Sequence, residues 1–499
     1  MRRLIVAAGA AVALGAPGLA HAETACADLA RTRLPHAEVT AATVEKLGAH
    51  EACKISVTSR PTAESDIRIQ VWIPLGDAWN GKFVQAGNGG FAGRIPEFQL
   101  RGLAARGYAA AGTDDGHQTS EVTDATWALG HREKLVDFGW RALKETTDIS
   151  RALIAEQKGL KPKRSYFAGC SDGGREALME AQRFPADFDG VVAGAPANYM
   201  SELFGISAAQ QQALAAPGGY LGPEQRALLQ KAALADCAAG GPFIRDPASC
   251  RFDPGKLRCK PGQTEGCLTA AQVRSARAMY DGRRDPRSGK IAFPGFSPGA
   301  VGAPGSWAAW TTGESPADHG RAMGLNFSSN AFRYFAFGDP SFDFLKMNLG
   351  AGFDRAKARM SSIIDAESPN LAAFRRHGGK LIQYHGWNDP AIPARSSIRY
   401  YEDVRRTMGD PSGFYRLYLV PGMLHCFGGA GPGQVDWIAE LDAWVTEGKA
   451  PGPLTAEAGP NKQAAEPSQL LCPYPAVARR SGERWACSGL RTAGRKSHS

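Results

Sequence analysis

The chain has 499 residues, 43% of them hydrophobic, and a formal charge of +9. That length suggests two structural units, and the basic residues are scattered apart from a modest group at Arg491, Arg495 and Lys496, which argues against nucleic acid as a partner. Beyond the N-terminus no apolar run is long enough to span a bilayer, so the mature chain reads as soluble with no membrane span.

In chain order, the first element is a targeting segment. Arg2 and Arg3 precede an apolar run from Leu4 to Leu19, and Ala20-His21-Ala22 is a small-x-small cleavage site. Residues 1–22 therefore read as a signal peptide, with cleavage near Ala22 and delivery to the periplasm or the exterior. Ten cysteines in such a compartment argue for up to five disulfides, and no two have the Cys-x-x-Cys spacing of a zinc or redox site. Local spacing suggests Cys237–Cys250, Cys259–Cys267 and Cys472–Cys487, and Cys26–Cys53 would tie down the N-terminal segment. Cys170 and Cys426 are left, far apart in the chain.

Residues 67–74 alternate as a strand. A second strand at 82–86 runs into Gly87-Asn88-Gly89-Gly90-Phe91, and a third at 108–112 ends at Thr113-Asp114-Asp115-Gly116-His117. Helical periodicity covers 137–156, a strand covers 164–168, and 191–196 is another buried strand. From about residue 200 the character changes, and 237–315 is rich in Gly, Pro and Cys with little periodicity. Strand patterns return at 380–386 and 414–420. Strands alternating with helices predict an α/β fold with a mostly parallel sheet. Residues 23–199 and 371–499 are assigned to this core and 200–370 to an insertion.

The stretch Phe167-Ala168-Gly169-Cys170-Ser171-Asp172-Gly173-Gly174-Arg175 is a strand running into Gly-x-Ser-x-Gly and then a helix, the order of a nucleophile elbow. The backbone N–H of Asp172, at the helix start, would face the oxygen of an attacked carbonyl. A nucleophilic serine needs a base and an orienting carboxylate, in the chain order Ser, acid, His, at strand ends. His425, after the strand at 414–420, meets the condition for the base, and Asp389, after the strand at 380–386, meets it for the acid. His117 and His131 precede the serine, His385 lies inside a strand and reads as support, and His319 and His377 fall in the insertion or its exit. Asp343 and Asp365 belong to no strand end, and Asp436 follows the histidine. Cys170 adjoins Ser171 and Cys426 adjoins His425, so a Ser–His hydrogen bond would bring the two sulfurs within bridging range. The alternative is two buried free thiols.

The arrangement resembles the tannase/feruloyl esterase family, through Trp79-Asn80-Gly81-Lys82-Phe83, Gly87-Asn88-Gly89-Gly90, Gly169-Cys170-Ser171-Asp172-Gly173-Gly174-Arg175, Tyr384-His385-Gly386-Trp387-Asn388-Asp389 and Val420-Pro421-Gly422-Met423-Leu424-His425-Cys426. The resemblance implies an α/β-hydrolase core with a disulfide-stapled lid inserted between serine and acid, a Cys170–Cys426 bridge, and a second oxyanion N–H from the Gly89-Gly90 loop. It implies esters of aromatic acids as substrates, of feruloyl, galloyl or terephthalate-monoester type. Lid contacts would come from Trp307, Trp310, Phe327, Phe332, Arg333, Tyr334 and Phe335. Arg333, Trp310 and Phe335 are the leading candidates, with a substrate carboxylate as the partner of Arg333 and a surface ion pair as its other reading. Family lids often hold calcium after the cysteine matching Cys237. Here that loop, Ala238-Ala239-Gly240-Gly241-Pro242-Phe243-Ile244-Arg245, has no carboxylate, so neither metal nor cofactor is expected. The competing readings are an esterase of polymer-derived esters and a non-catalytic binding protein on a hydrolase scaffold.

Overall fold

A nine-stranded sheet runs through the molecule in the order β1-β2-β3-β5-β4-β6-β7-β10-β11. Its strands are β1 (Ala37–Leu47), β2 (His50–Ser59), β3 (Ile67–Pro74), β4 (Lys82–Ala86), β5 (Ala109–Thr113), β6 (Arg164–Cys170), β7 (Gly190–Gly194), β10 (Lys380–Gly386) and β11 (Tyr415–Val420). The strands from β5 to β11 are parallel, while β1, β2 and β3 add an antiparallel edge. This computed structural model describes residues 23–489 except 461 and 483. The signal-peptide reading of 1–22 and the basic group at Arg491, Arg495 and Lys496 therefore lie outside the described residues.

The parallel strands read as apolar runs because both of their faces are covered. Helices α1 (Glu97–Ala105), α2 (Arg132–Val136), α3 (Ala142–Lys158) and α4 (Asp172–Arg183) are the crossovers of the first half, and α10 (Ala372–Arg376), α11 (Ala394–Met408) and α12 (Trp437–Glu447) flank the second. Period-2 alternation divides the core. Phe83, Phe167, Val191, Leu381 and Leu417 face one layer, and Val84, Tyr166, Val192, Ile382 and Tyr418 face the layer of α1 and α12. The expected helix over 137–156 begins with a wider π turn at Asp137–Arg141 before α3 takes over.

Between β7 and β10 the chain leaves the sheet. It forms α5 (Met200–Ala215), α6 (Pro223–Cys237), α7 (Ala270–Asp281), the hairpin β8 (Arg283–Arg284) and β9 (Ile291–Phe293), α8 (Met323–Asn330) and α9 (Ala351–Ile364). Helix α7 lies within the stretch read as aperiodic. A capping box starts it, Thr269 accepting from Gln272 N–H and Gln272 from Thr269 N–H, and it buries Val273, Ala276 and Met279 on one face. This lid has its own apolar cluster around Leu221, Leu229, Leu268, Phe296 and Trp307. Two short disulfides staple it, Cys237–Cys250 and Cys259–Cys267. Cys26–Cys53 ties the N-terminal turn to β2, and Cys472–Cys487 ties the C-terminal strands. No helix among the described residues is long and apolar enough to cross a membrane.

Candidate active site

Strand β6 ends at Cys170 and α4 begins at Asp172, so Ser171 makes the turn between them alone, at φ 66° and ψ −118°. A non-glycine residue holds such a backbone only when its surroundings over-determine it. Ser171 N–H donates to Gly194 O at 3.0 Å, and its carbonyl accepts from the N–H groups of Gly174, Arg175 and Ala197. The chain can turn this sharply because Gly169 lacks a side chain. A Cβ there would lie 2.6 Å from the carbonyl carbon of Gly173.

The three residues picked from the sequence meet at this turn. His425 Nε2 lies 2.9 Å from Ser171 Oγ, and His425 Nδ1 lies 2.7 Å from Asp389 Oδ2. Asp389 Oδ1 accepts from the N–H groups of Ala391 and Ile392, at 2.8 and 2.9 Å. Burial by itself would push this carboxyl up. The charge of His425 and the hydrogen bonds from His385 and His425 outweigh it and hold Asp389 well below the usual carboxylate range. An ionised Asp389 accepts the Nδ1 proton and leaves the Nε2 lone pair facing the serine hydroxyl. His385 lies beneath, its Nε2 3.0 Å from Ile392 O and 3.2 Å from Asp389 Oδ2, its Nδ1 2.7 Å from Ser397 Oγ. His117 is elsewhere. It stacks on Trp127 at 3.9 Å, and burial pushes its imidazole down to about 4. Cys170 and Cys426 are bridged, with their Cα atoms 6.0 Å apart.

Asp172 and Gly90 line the same cleft as Ser171, and among the described residues neither N–H has a backbone acceptor. Asp172, the first residue of α4, has no intrahelical acceptor for its own. Gly90 N–H donates to no acceptor among the described residues, whereas the next N–H, of Phe91, is taken by Val122 O at 2.8 Å. Gly90 has φ +62°, and a Cβ on it would lie 2.6 Å from Val122 O. The carbonyl of Gly89 accepts from Ala92 N–H. Helix α4 grips this loop at both ends of one residue: Asn88 N–H donates to Glu176 Oε2 at 2.8 Å, and Asn88 O accepts from Gly173 N–H at 2.9 Å. Sequence reasoning missed Glu176 and its neighbours Arg175 and Asp115, because buried charges on a helix next to a glycine motif look like an ordinary polar face. Arg175 is fully buried and turns the Asp172 side chain away from the cleft, bonding both its oxygens at 2.5 and 3.1 Å. Burial, then the charge of Asp172, pushes the Glu176 carboxyl up to about 7.

The model of the family described as tannase and feruloyl esterase matches residues 53–488. The chain belongs to the tannase and feruloyl esterase family. An uncharacterized esterase of Xanthomonas campestris pv. campestris is 35% identical over 91% of this chain and 88% of its own. Mono(2-hydroxyethyl) terephthalate hydrolase of Piscinibacter sakaiensis is 30% identical over 84% of this chain and 79% of its own. The crystal structure of feruloyl esterase B from Aspergillus oryzae superposes with a TM-score of 0.84 at 25% identity, covering 93% of this chain and 99% of that one. The protein is thus a carboxylic ester hydrolase of the tannase and feruloyl esterase type, with an α/β-hydrolase fold, and the reading as a non-catalytic scaffold falls away.

In this family member Ser171 opens into a cleft of 1230 Å³ between the sheet and the lid. Of the lid residues expected to touch substrate, Trp310 and Phe327 line it, Trp310 with its ring 5.0 Å from that of His425. Arg333 does not line the cleft, and its Nε donates to Phe342 O at 3.2 Å. Phe335 is buried in the aromatic core instead, 4.8 Å from Phe91 and 5.4 Å from Trp127. Both sit in the π-helical segment Ala331–Phe337, whose wider turn rotates side chains off the face that a 3.6-residue period assigns them. Phe332 and Trp307 are likewise interior. Met200, Leu203 and Ile392, which carried no signal in the sequence, complete the wall beside Trp310.

The acids around the Cys237 loop are engaged in ion pairs. Asp236 pairs with Lys256, Asp246 with Arg479 at 2.9 Å and Asp253 with Arg277 at 3.1 Å, so each carboxylate already faces a cation of the chain itself.

Proposed function

We propose that this chain is an exported serine esterase that hydrolyses esters of aromatic, hydroxycinnamic or gallic-type carboxylic acids through Ser171, His425 and Asp389. The carrying observation is the unbroken series Ser171 Oγ, His425 Nε2, His425 Nδ1, Asp389 Oδ2, at 2.9 and 2.7 Å, opening into an aromatic-walled cleft. His425 takes the Ser171 proton as Oγ attacks the ester carbonyl. The N–H groups of Asp172 and Gly90 hold the oxyanion, and the imidazolium returns the proton to the departing alcohol oxygen. Water then adds to the acyl-enzyme, giving its proton to His425, and the acid leaves as Ser171 is reprotonated. The names of the feruloyl esterase and terephthalate-ester relatives support an aromatic acyl group. So do Trp310 and Phe327, flat faces beside the serine.

The test is a panel of methyl ferulate, methyl gallate, chlorogenate, a terephthalate monoester and methyl hexanoate. At least one aromatic ester is expected to exceed the hexanoate in kcat/KM by tenfold or more. A preference for the aliphatic ester would overturn the reading.

Two substitutions probe the machinery separately. Asp389→Asn keeps the shape but favours the wrong imidazole tautomer, so kcat is expected to fall about 10⁴-fold with little change in KM. Gly90→Ala strains a positive φ and drives a methyl into Val122 O, displacing the second oxyanion donor. The expected loss is about 10²–10³ in kcat, read by steady-state kinetics on the same ester.

Export is supported by the five disulfides and by the docking of the residue that cleavage after Ala22 would leave first. Glu23 pairs with Lys158 and accepts from Gly76 N–H at 3.1 Å. Mass spectrometry of the exported protein should find Glu23 at its N-terminus.

A further inference from the structure

One face of the sheet is hollow directly behind the serine. Along the layer of α1 and α12, large residues such as Tyr166, Val192 and Ile382 give way to small ones at the strand ends. Ala86 of β4 pairs with Ala168 of β6, and alternation brings Gly194 of β7 to the same face, opposite Cys170. Leu103 of α1 and Ile438 of α12 stand on either side without filling the gap, which is continuous with the Ser171 cleft. Ala168, in the middle of a nine-stranded sheet, is only partly buried as a result.

Tyr384 of β10 forms the third wall. It leans across Gly194, where a Cβ would lie 2.5 Å from the tyrosine Oη, and it stacks on Trp437 at 4.8 Å. The residue lines the cleft, and its hydroxyl has no hydrogen-bond partner among the described residues. Burial pushes the phenol up to about 12. Facing the cleft as both donor and acceptor, this hydroxyl is open to a ligand. The whole cleft also exceeds the roughly 300–1,000 Å³ of an ordinary small-ligand site, which leaves room beyond one aromatic acyl group.

We propose that this hollow is the alcohol subsite, taking an apolar alcohol moiety about the size of a phenyl ring or short alkyl chain, with Tyr384 Oη bonding to an oxygen carried on it. The assignment rests on the acyl-transfer reading above. The departing oxygen must receive its proton from His425, and the hollow borders Cys426 and Phe427, the residues that follow that histidine. Trp310 and Phe327 wall the lid side and are left to the acyl ring. Phe427, 79% exposed, stands at the mouth where an alcohol group would enter or leave.

The experiment varies the alcohol with the acyl group held constant. Methyl, n-butyl, benzyl and 4-hydroxybenzyl esters are compared in two ladders, one of ferulate and one of acetate. For the wild-type enzyme kcat/KM is expected to rise at least about tenfold from methyl to benzyl in both ladders. Ile438→Trp fills the hollow from α12 and should compress that rise to threefold or less. Tyr384→Phe should lower kcat/KM for 4-hydroxybenzyl ferulate about fivefold relative to benzyl ferulate. A flat wild-type ladder would overturn the assignment, as would Ile438→Trp changing the ferulate-to-acetate ratio at constant alcohol. If Ile438→Trp does not fold, the wild-type ladders and the isosteric Tyr384→Phe decide. Failure of the parent reading looks different: turnover surviving Ser171→Ala in both ladders, or acetate esters cleaved while no ferulate is.

Discussion

Replacing Ser171 with alanine is expected to lower kcat by about 10⁶ while KM moves little. Oγ is the only atom removed, and it lies 2.9 Å from His425 Nε2 at the mouth of the cleft. Everything else that would bind the ester, including the N–H groups of Asp172 and Gly90, stays in place. The residual rate should therefore sit about 10³–10⁴ above the uncatalysed one. Combining Ser171→Ala with His425→Ala should cost scarcely more than either alone, because serine and base act as a unit. Burst and steady-state kinetics with a p-nitrophenyl ester, alongside a thermal melt to confirm folding, give the answer. A serine-less enzyme within tenfold of wild type would mean that the chemistry is done elsewhere.

The second large effect is expected from opening the Cys170–Cys426 bridge with paired serines. The bridge closes 256 residues of chain, and the chain-entropy account assigns such a loop about 5 kcal/mol, against about 3 kcal/mol for the 13 residues spanned by Cys237–Cys250. It also joins two strained backbones, since Ser171 adjoins Cys170 at φ 66° and Cys426 itself sits at φ 62°. Releasing them lets the imidazole drift from the serine, and displacement by about 1 Å costs on the order of 10² in rate. The doubly substituted protein should thus lose both urea resistance and kcat, whereas Cys237→Ser with Cys250→Ser should lose stability and keep kcat. Equal kcat losses in the two variants would show that the bridge has no special part in positioning His425.

Much of the core was legible because its parallel strands are buried on both faces. Phe83-Val84, Val191-Val192-Ala193 and Leu381-Ile382 stand out as apolar runs bounded by glycine. The elbow was legible because close approach demands glycine at 169, and most of the disulfide pairs because their cysteines lie close in the chain. The antiparallel pair β1 and β2 escaped notice. In β1 only Leu47 is fully buried, and a bulge between Val39 and Ala41 breaks the alternation. The support beneath the site was equally silent. Glu176 and Arg175 gain their meaning from partners at Asn88 and Asp172, and Asp115 from lying against Glu176, neighbours that only the folded chain brings near. Arg333 and Phe335 were misplaced for a third reason, a helical segment whose turn is not the one assumed.

Strand β1 has one more consequence. Among the described residues it ends the sheet, with Arg101 bonding the Lys46 carbonyl near its end, so the rest of its outer side is a template on which another copy could add a strand. The opposite end is occupied, because Tyr474 N–H bonds to Leu417 O and Pro473 bridges to Tyr418. Along β1 the safeguards are the bulge and the exposed Glu38 and Lys46, which charge and bend the border. Neutralising those two side chains should leave hydrolysis intact and make the protein prone to aggregate at high concentration.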